Sequence, residues 1–324
     1  MAHTTLSRFV IATTMSAILS MASAASESFA SKTPIHASAQ ERKVKQQTPR
    51  RRLSANTTTY RDVAYATVAG KQLQLDLYVP KTTSDTPPLL VWIHGGGWLS
   101  GSKDSCKMSV ETKRGYAVAS LNYRLSQEAI FPAQIHDCKG AIRWLRANAD
   151  KYGYNADRIG VAGSSAGGQL ASLLGTSGGV KELEGDVGGN LDQSSTVQAV
   201  CNYFGATDFH SIGKQRTKVK SKPSSVVTQL FGGTIQEKPD LARLASPVTF
   251  LDPTDPAFLL IHGAQDNVVP LQQSTSFEKL LAGVNVPVKL VILKNAGHGG
   301  KQFASIDTVQ HFQDFFDRHV KRTP

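Results

Sequence analysis

Cysteine is scarce in this chain. Cys106, Cys138 and Cys201 are the only three in 324 residues, an odd count and too few to form the disulfide framework of a small extracellular domain. Cys201 falls in an apolar strand pattern and Cys138 in a helical one, places where a thiol acts as a small buried hydrophobe. Cys106 and Cys138 are a candidate pair in an oxidising compartment, although spacing alone does not establish a bond. No Cys or His cluster has zinc-ligand spacing, so no metal is expected. Long apolar runs are scarce as well. The stretch Phe9 to Met21 is short and broken by Thr and Ser, a poor match to a bilayer span, and no other segment is apolar enough to cross a membrane. Stable membrane insertion of the mature chain is therefore not expected.

Acidic residues are outnumbered, 25 against 36 Lys and Arg, for a formal charge of +11. Placement decides what that excess means. Residues 1–59 carry eight Lys or Arg against two Glu, leaving +5 for the other 265 residues. A nucleic-acid surface would gather its cations on folded elements beside aromatics, whereas here they crowd a polar tail. Nucleic acid is not an expected partner.

The N-terminus reads as an export signal. Arg8 precedes the apolar run, and Ala22-Ser23-Ala24 supplies a small-residue cleavage site. Residues 1–24 are thus expected to be a signal peptide that directs the chain to the periplasm or beyond. Residues 25–58, rich in Ser, Thr, Ala and Gln and ending near Arg50-Arg51-Arg52, have too few large apolar side chains to offset the entropy of ordering. They are expected to form a disordered basic linker. Asn56-Thr57-Thr58 fits a glycosylation sequon, relevant only in a eukaryotic source.

From Tyr60 onward the pattern alternates. Val63–Val68 and Leu73–Val79 alternate apolar and polar residues around Gly70-Lys71, which predicts a hairpin. Leu89–Ile93, Ala117–Leu121, Ile159–Ala162 and Phe258–Ile261 are continuously apolar, as strands buried on both faces are. Val197–Phe204 and Val288–Leu293 add two more strands. Between them, Ile135, Cys138, Ile142, Leu145 and Ala149 form one helical stripe, and Ile306, Val309, Phe312, Phe316 and Val320 form another. Strands alternating with helices predict a mostly parallel sheet covered on both sides. Asp208–Pro256 is long and patternless, as functional insertions often are.

Two motifs carry chemistry. Gly163-Ser164-Ser165-Ala166-Gly167 joins the strand Ile159–Ala162 to a helical pattern through Gln169, Leu170 and Leu173. So tight a turn needs small flanking residues and lifts the Ser165 hydroxyl above the strand end. Gly175-Thr176-Ser177-Gly178-Gly179 matches the same pattern but follows a helix, and reads as a glycine-rich helix stop. Upstream, His94-Gly95-Gly96-Gly97-Trp98 follows the strand Leu89–Ile93. Attack on an ester creates an oxyanion that backbone N–H groups stabilise best, and glycines allow the chain a close approach. The Lys-Ser/Thr of a phosphate-binding loop is missing.

With these motifs the sequence resembles the α/β-hydrolase esterases related to hormone-sensitive lipase, especially their bacterial feruloyl- and acetyl-xylan-esterase-like (BD-FAE-like) branch. The resemblance covers about residues 60–320. It is carried by His94–Trp98, Asn122-Tyr123-Arg124-Leu125, Ala141-Ile142-Arg143-Trp144-Leu145-Arg146, Asp157-Arg158-Ile159-Gly160, Gly163–Gly168, His262-Gly263-Ala264-Gln265-Asp266 and Gly297-His298-Gly299. Asn122 stands where the family usually has Asp, a position read as structural. The resemblance implies an α/β-hydrolase fold with an eight-stranded sheet, and a catalytic domain over 59–324 whose insert, 208–256, lies over the active site.

It also implies a catalytic set. The base is expected to be His298, in the glycine-rich loop after Val288–Leu293 where the family carries it. The other eight histidines fall in the signal, the tail, the oxyanion loop, the insert, on helices or, for His262, at a strand end beside the acid loop. The acid is expected to be Asp266, with Asp208, also just past a strand end, as the competitor. The order Ser165, Asp266, His298 is that of the fold, and Gly96, Gly97 and Ala166 would hold the oxyanion. No cofactor is implied. The expected activity is hydrolysis of short-chain acyl esters, small molecules or acetyl or feruloyl esters of plant polysaccharide. An amidase or peptidase on the same triad, or an inactive binding protein on this fold, are the alternatives. Oligomeric state is left open.

Overall fold

The computed structural model describes residues 56–81, 85–215 and 225–321. The expected signal peptide, the linker up to residue 55 and the basic run Arg216 to Lys222 lie outside the described residues.

Eight strands build one sheet: β1 (Thr57–Val68), β2 (Lys71–Pro80), β3 (Pro88–Ile93), β4 (Ala117–Leu121), β5 (Asn155–Ser164), β6 (Ala199–Tyr203), β7 (Ala257–Gly263) and β8 (Val288–Leu293). Their order is β1-β2-β4-β3-β5-β6-β7-β8. β2 pairs antiparallel with β1 and β4, and every other neighbouring pair is parallel. This is the mostly parallel sheet the patterns predict. The continuous apolar runs have the cause assigned to them. In β3, Leu89, Val91 and Ile93 join the core on one face while Leu90 and Trp92 join the core on the other. Each such side chain, removed wholly from water, contributes roughly 1.5–3 kcal/mol.

The hairpin forms one residue earlier than expected. Its turn is Ala69-Gly70, both at positive φ (48° and 78°), the geometry of a two-residue turn that matches strand twist. β1 also begins at Thr57, two residues inside the stretch read as linker, because Thr57 and Thr58 pair with Pro80 and Val79. Irregularities between Tyr60 and Val63 and between Ala64 and Ala66 shift the register. They break the two-residue alternation by which the strand's start would have been recognised.

Nine α-helices occur among the described residues: α1 (Ala133–Ala147), α2 (Ala149–Tyr152), α3 (Ala166–Thr176), α4 (Lys181–Glu184), α5 (Phe209–Gln215), α6 (Ser225–Phe231), α7 (Pro239–Leu244), α8 (Gln272–Gly283) and α9 (Ile306–Phe316). α1, α3 and α8 cover one face of the sheet, and α9 covers the other together with the turns around Met108 and Tyr116. The α1 stripe is as expected up to Leu145, but Ala149 belongs to α2, beyond the break at Asn148. In α9, Phe312, Phe315 and Phe316 are buried while Ile306, at the capped first turn, is 86% exposed. The insert is not patternless coil. It holds α5, α6 and α7, each under two turns and thus too short for a helical period to show.

The faces also decide the cysteines. Cys138 lies in the core on the α1 side and Cys106 packs against the core on the α9 side. The sheet stands between them, and all three cysteines are free. Among the described residues no helix is long and apolar enough to cross a membrane.

Candidate active site

A parallel sheet brings the C-terminal ends of its strands to one edge, and the loops after β3, β5, β7 and β8 meet there. β5 turns into α3 through Ser165, whose φ of +54° is rare for a residue with a side chain. The flanking glycines are required by contact. A Cβ on Gly163 would stand 2.1 Å from the Gly167 carbonyl oxygen, and one on Gly167 would stand 2.1 Å from that of Ile93. The Ser165 N–H is fixed by the Tyr203 carbonyl at 2.8 Å.

Ser165 Oγ lies 2.7 Å from His298 Nε2, and His298 Nδ1 lies 2.7 Å from Asp266 Oδ2. These three residues are brought together from β5, β7 and β8. The Asp266 carboxylate is fully buried. Its Oδ1 accepts the N–H groups of Val268 and Val269 at 2.8 and 2.9 Å. Burial raises the Asp266 pKa, but hydrogen bonds from His262 and His298, with the His298 charge, outweigh it and hold the carboxyl well below the usual carboxylate range. His262 braces this loop as its position suggests. Its Nδ1 is 2.7 Å from Ser274 Oγ, and its Nε2 is 3.0 Å from the Val269 carbonyl and 3.3 Å from Asp266 Oδ2. Asp208 is placed elsewhere: its Oδ1 accepts the N–H groups of His210 and Ser211, capping α5.

The glycine run after β3 turns back beside this set. Gly96 and Gly97 have φ of +119° and +63°, and the Gly96 carbonyl accepts the N–H groups of Leu99 and Ser100. Among the described residues nothing accepts the N–H groups of Gly96, Gly97 or Ala166. That of Ala166 is also the first of α3, where the helix dipole favours negative charge. His94 is buried and stacked on Tyr123 at 4.3 Å, and the Tyr123 hydroxyl donates to the His94 carbonyl. Burial lowers the His94 pKa more than its contact with the Gly95 carbonyl raises it. Asn122 is structural, as read: its Oδ1 accepts the Lys103 N–H at 2.7 Å, which ties down the far end of the loop.

Two contacts were not visible in the motifs. Trp98 Nε1 donates to Gln169 Oε1 at 3.1 Å, and Gln169 Nε2 donates to the Ala245 carbonyl at 2.8 Å. One buried amide thus links the glycine loop, α3 and the insert. Phe204, buried at the end of β6, lies against the His298 ring. The polar part of the first could have been suspected from a glutamine in an apolar helix; nothing in the sequence marks the second. Chemically, the assembly offers a hydroxyl beside an imidazole, a carboxylate behind it and three N–H donors unengaged among the described residues, the parts that acyl transfer needs.

The BD-FAE family model matches residues 75–281. Esterase LipC of Mycobacterium tuberculosis is 34% identical over 231 residues, 69% of this chain and 56% of LipC. The chain spans about half the length of the curated relatives it matches. Among solved structures, a truncated carbohydrate esterase from gut microbiota shares 32% identity and a TM-score of 0.76, over 83% of this chain and 99% of that one. A bifunctional GH43-CE of Bacteroides eggerthii shares 35% identity and a TM-score of 0.74, over 80% of this chain and 35% of that one.

Proposed function

The chain belongs to the BD-FAE family of α/β-hydrolase-fold proteins, and from that premise we propose that it is a serine carboxylesterase cleaving short-chain acyl esters. The observation that carries the reading is the continuous contact Ser165–His298–Asp266, 2.7 Å at each step, beside three unengaged N–H donors. Ser165 attacks the ester carbonyl as His298 takes its proton, and Asp266 orients and supports the imidazolium. The N–H groups of Gly96, Gly97 and Ala166 hold the oxyanion. Collapse expels the alcohol, which receives the proton from His298. A water deprotonated by the same histidine then releases the acid and restores Ser165.

The substrates we propose are acetyl and other small acyl esters, including those on plant polysaccharide. The carbohydrate esterase from gut microbiota and the GH43-CE of Bacteroides eggerthii support this choice by their names and their likeness. The site is read as lacking a long apolar trough, since the insert is basic where a lipid-facing lid would be apolar. Across p-nitrophenyl esters from acetate to palmitate, kcat/KM is expected to peak at acetate or butyrate. It should fall steeply beyond about eight carbons, since each misfit methylene loses up to about 3 kcal/mol of transition-state binding. A maximum at palmitate, or activation at an oil–water interface, overturns the assignment. We further propose that the chain is exported. N-terminal sequencing of protein recovered outside the cytoplasm is expected to start at or near Ala25, and an intact Met1 or Ala2 refutes it.

A further inference from the structure

Phe204 has φ +44°, in the left-handed region where a bulky side chain is strained. Ser164 on β5 pairs with Tyr203 on β6, so the next residues on these strands are Ser165 and Phe204, both left-handed. Two neighbouring strands therefore kink at the same level, yet the second kink carries no reacting atom. Strain of this kind persists only where the surroundings enforce it, and here they do. The Phe204 N–H donates to the Ile261 carbonyl at 3.0 Å on β7, the strand leading to Asp266, while the preceding carbonyl holds the Ser165 N–H. The buried ring lies against His298 with centroids 4.7 Å apart and planes at 60°. Phe303 stands edge-on to Phe204 at 4.8 Å, and Tyr203 packs between Phe303 and Phe312 at 6.3 Å from each.

The loop itself supplies only glycine beside His298. Gly297 precedes it, and Gly299 and Gly300 follow with φ of +114° and +119°. Resting on the reading of Ser165, His298 and Asp266 as the catalytic set, we propose that Phe204 is a positioning residue for His298. Its strained backbone presents an aromatic surface that keeps the imidazole turned with Nε2 to Ser165 and Nδ1 to Asp266. The need is greatest after acylation. Ser165 Oγ is then an ester oxygen with no proton to donate, so the hydrogen bond to Nε2 is gone. The contact with Phe204 remains and holds the ring in place to deprotonate the water.

The test compares Phe204→Leu and Phe204→Tyr with the parent enzyme on a short p-nitrophenyl ester, with folding followed by circular dichroism. In Phe204→Leu, kcat is expected to fall about tenfold with KM no higher than in the parent, the pattern of a misaligned reacting group rather than lost binding. Phe204→Tyr keeps the ring and is expected to recover most of kcat. An unchanged kcat in folded Phe204→Leu, an effect confined to a raised KM, or equal losses in both variants overturns the proposal. Should Phe204→Leu fail to fold, Phe303→Leu removes the brace behind the ring from a partly buried position. A lower kcat at unchanged KM then supports the role, and an unchanged kcat overturns it. Ser165→Ala separates the two levels. Activity in Ser165→Ala refutes the catalytic set itself, whereas an inactive Ser165→Ala beside an unimpaired Phe204→Leu refutes this inference alone.

Discussion

Two segments of this chain share the pattern Gly-x-Ser-x-Gly, twelve positions apart, and the fold treats their serines in opposite ways. Ser165 follows a strand and opens a helix. Its backbone is left-handed and its Oγ stands 2.7 Å from an imidazole. Ser177 follows the same helix at its other end, with φ −113°. It is fully buried, and its Oγ donates to the Leu173 carbonyl four residues back, the usual satisfaction of a hydroxyl in a closing helix. Its own carbonyl accepts Lys139 Nζ from α1. The pattern specifies small residues and a serine. The element that precedes it decides whether the hydroxyl points at a substrate or into its own backbone.

Substitutions can break that contrast. The largest expected effect is in Ser165→Ala, where kcat for ester hydrolysis should fall roughly 10⁴- to 10⁶-fold with an unchanged circular dichroism spectrum. Near-parental turnover would mean that the two serines had been distinguished wrongly. Next comes the comparison of carboxylates. Asp266→Asn should lower kcat by about 10⁴, because an amide favours the wrong imidazole tautomer. Asp208→Asn should remain active and lose at most about 1 kcal/mol of stability at the α5 cap, read from urea unfolding. If Asp208→Asn is the crippled variant, the acid has been misassigned. The smallest effect belongs to Ser177→Ala. It should keep parental kcat and KM while losing roughly 1 kcal/mol through one buried hydrogen bond, again read from urea unfolding.

The contrast also explains which features were legible. Strands buried on both faces announce themselves by unbroken apolar runs, and β4 and β8 were readable to the residue. Ser165 could be read because its motif follows a recognisable strand end, whereas Asp266 and His298 were implied by the family resemblance, since Asp208 also stands just past a strand end. What could not be read depends on the third dimension or on segments too short to repeat. Whether Cys106 and Cys138 pair stays open in the sequence, because spacing does not say on which side of a sheet a residue lies; the structure puts them on opposite faces. The helices of the insert stayed hidden because seven residues do not display a period. β1 lost its beginning to register shifts. Phe204 carried no signal, since an aromatic at a strand end looks like any other core residue until its φ is known.

Among the described residues β8 occupies the edge of the sheet and pairs only with β7. His298 hangs from it, 133 positions along the chain from Ser165. Opening of a protein is local before it is global, and an edge strand released from one neighbour costs less than the interior strands beside it. Fraying of β8 from β7 would carry the imidazole away while β3, β5 and β6, with the nucleophile and the glycine loop, keep their places. Heat inactivation should therefore run ahead of the loss of helical signal. On refolding, turnover should be the last property to return, a report on the docking of a single strand.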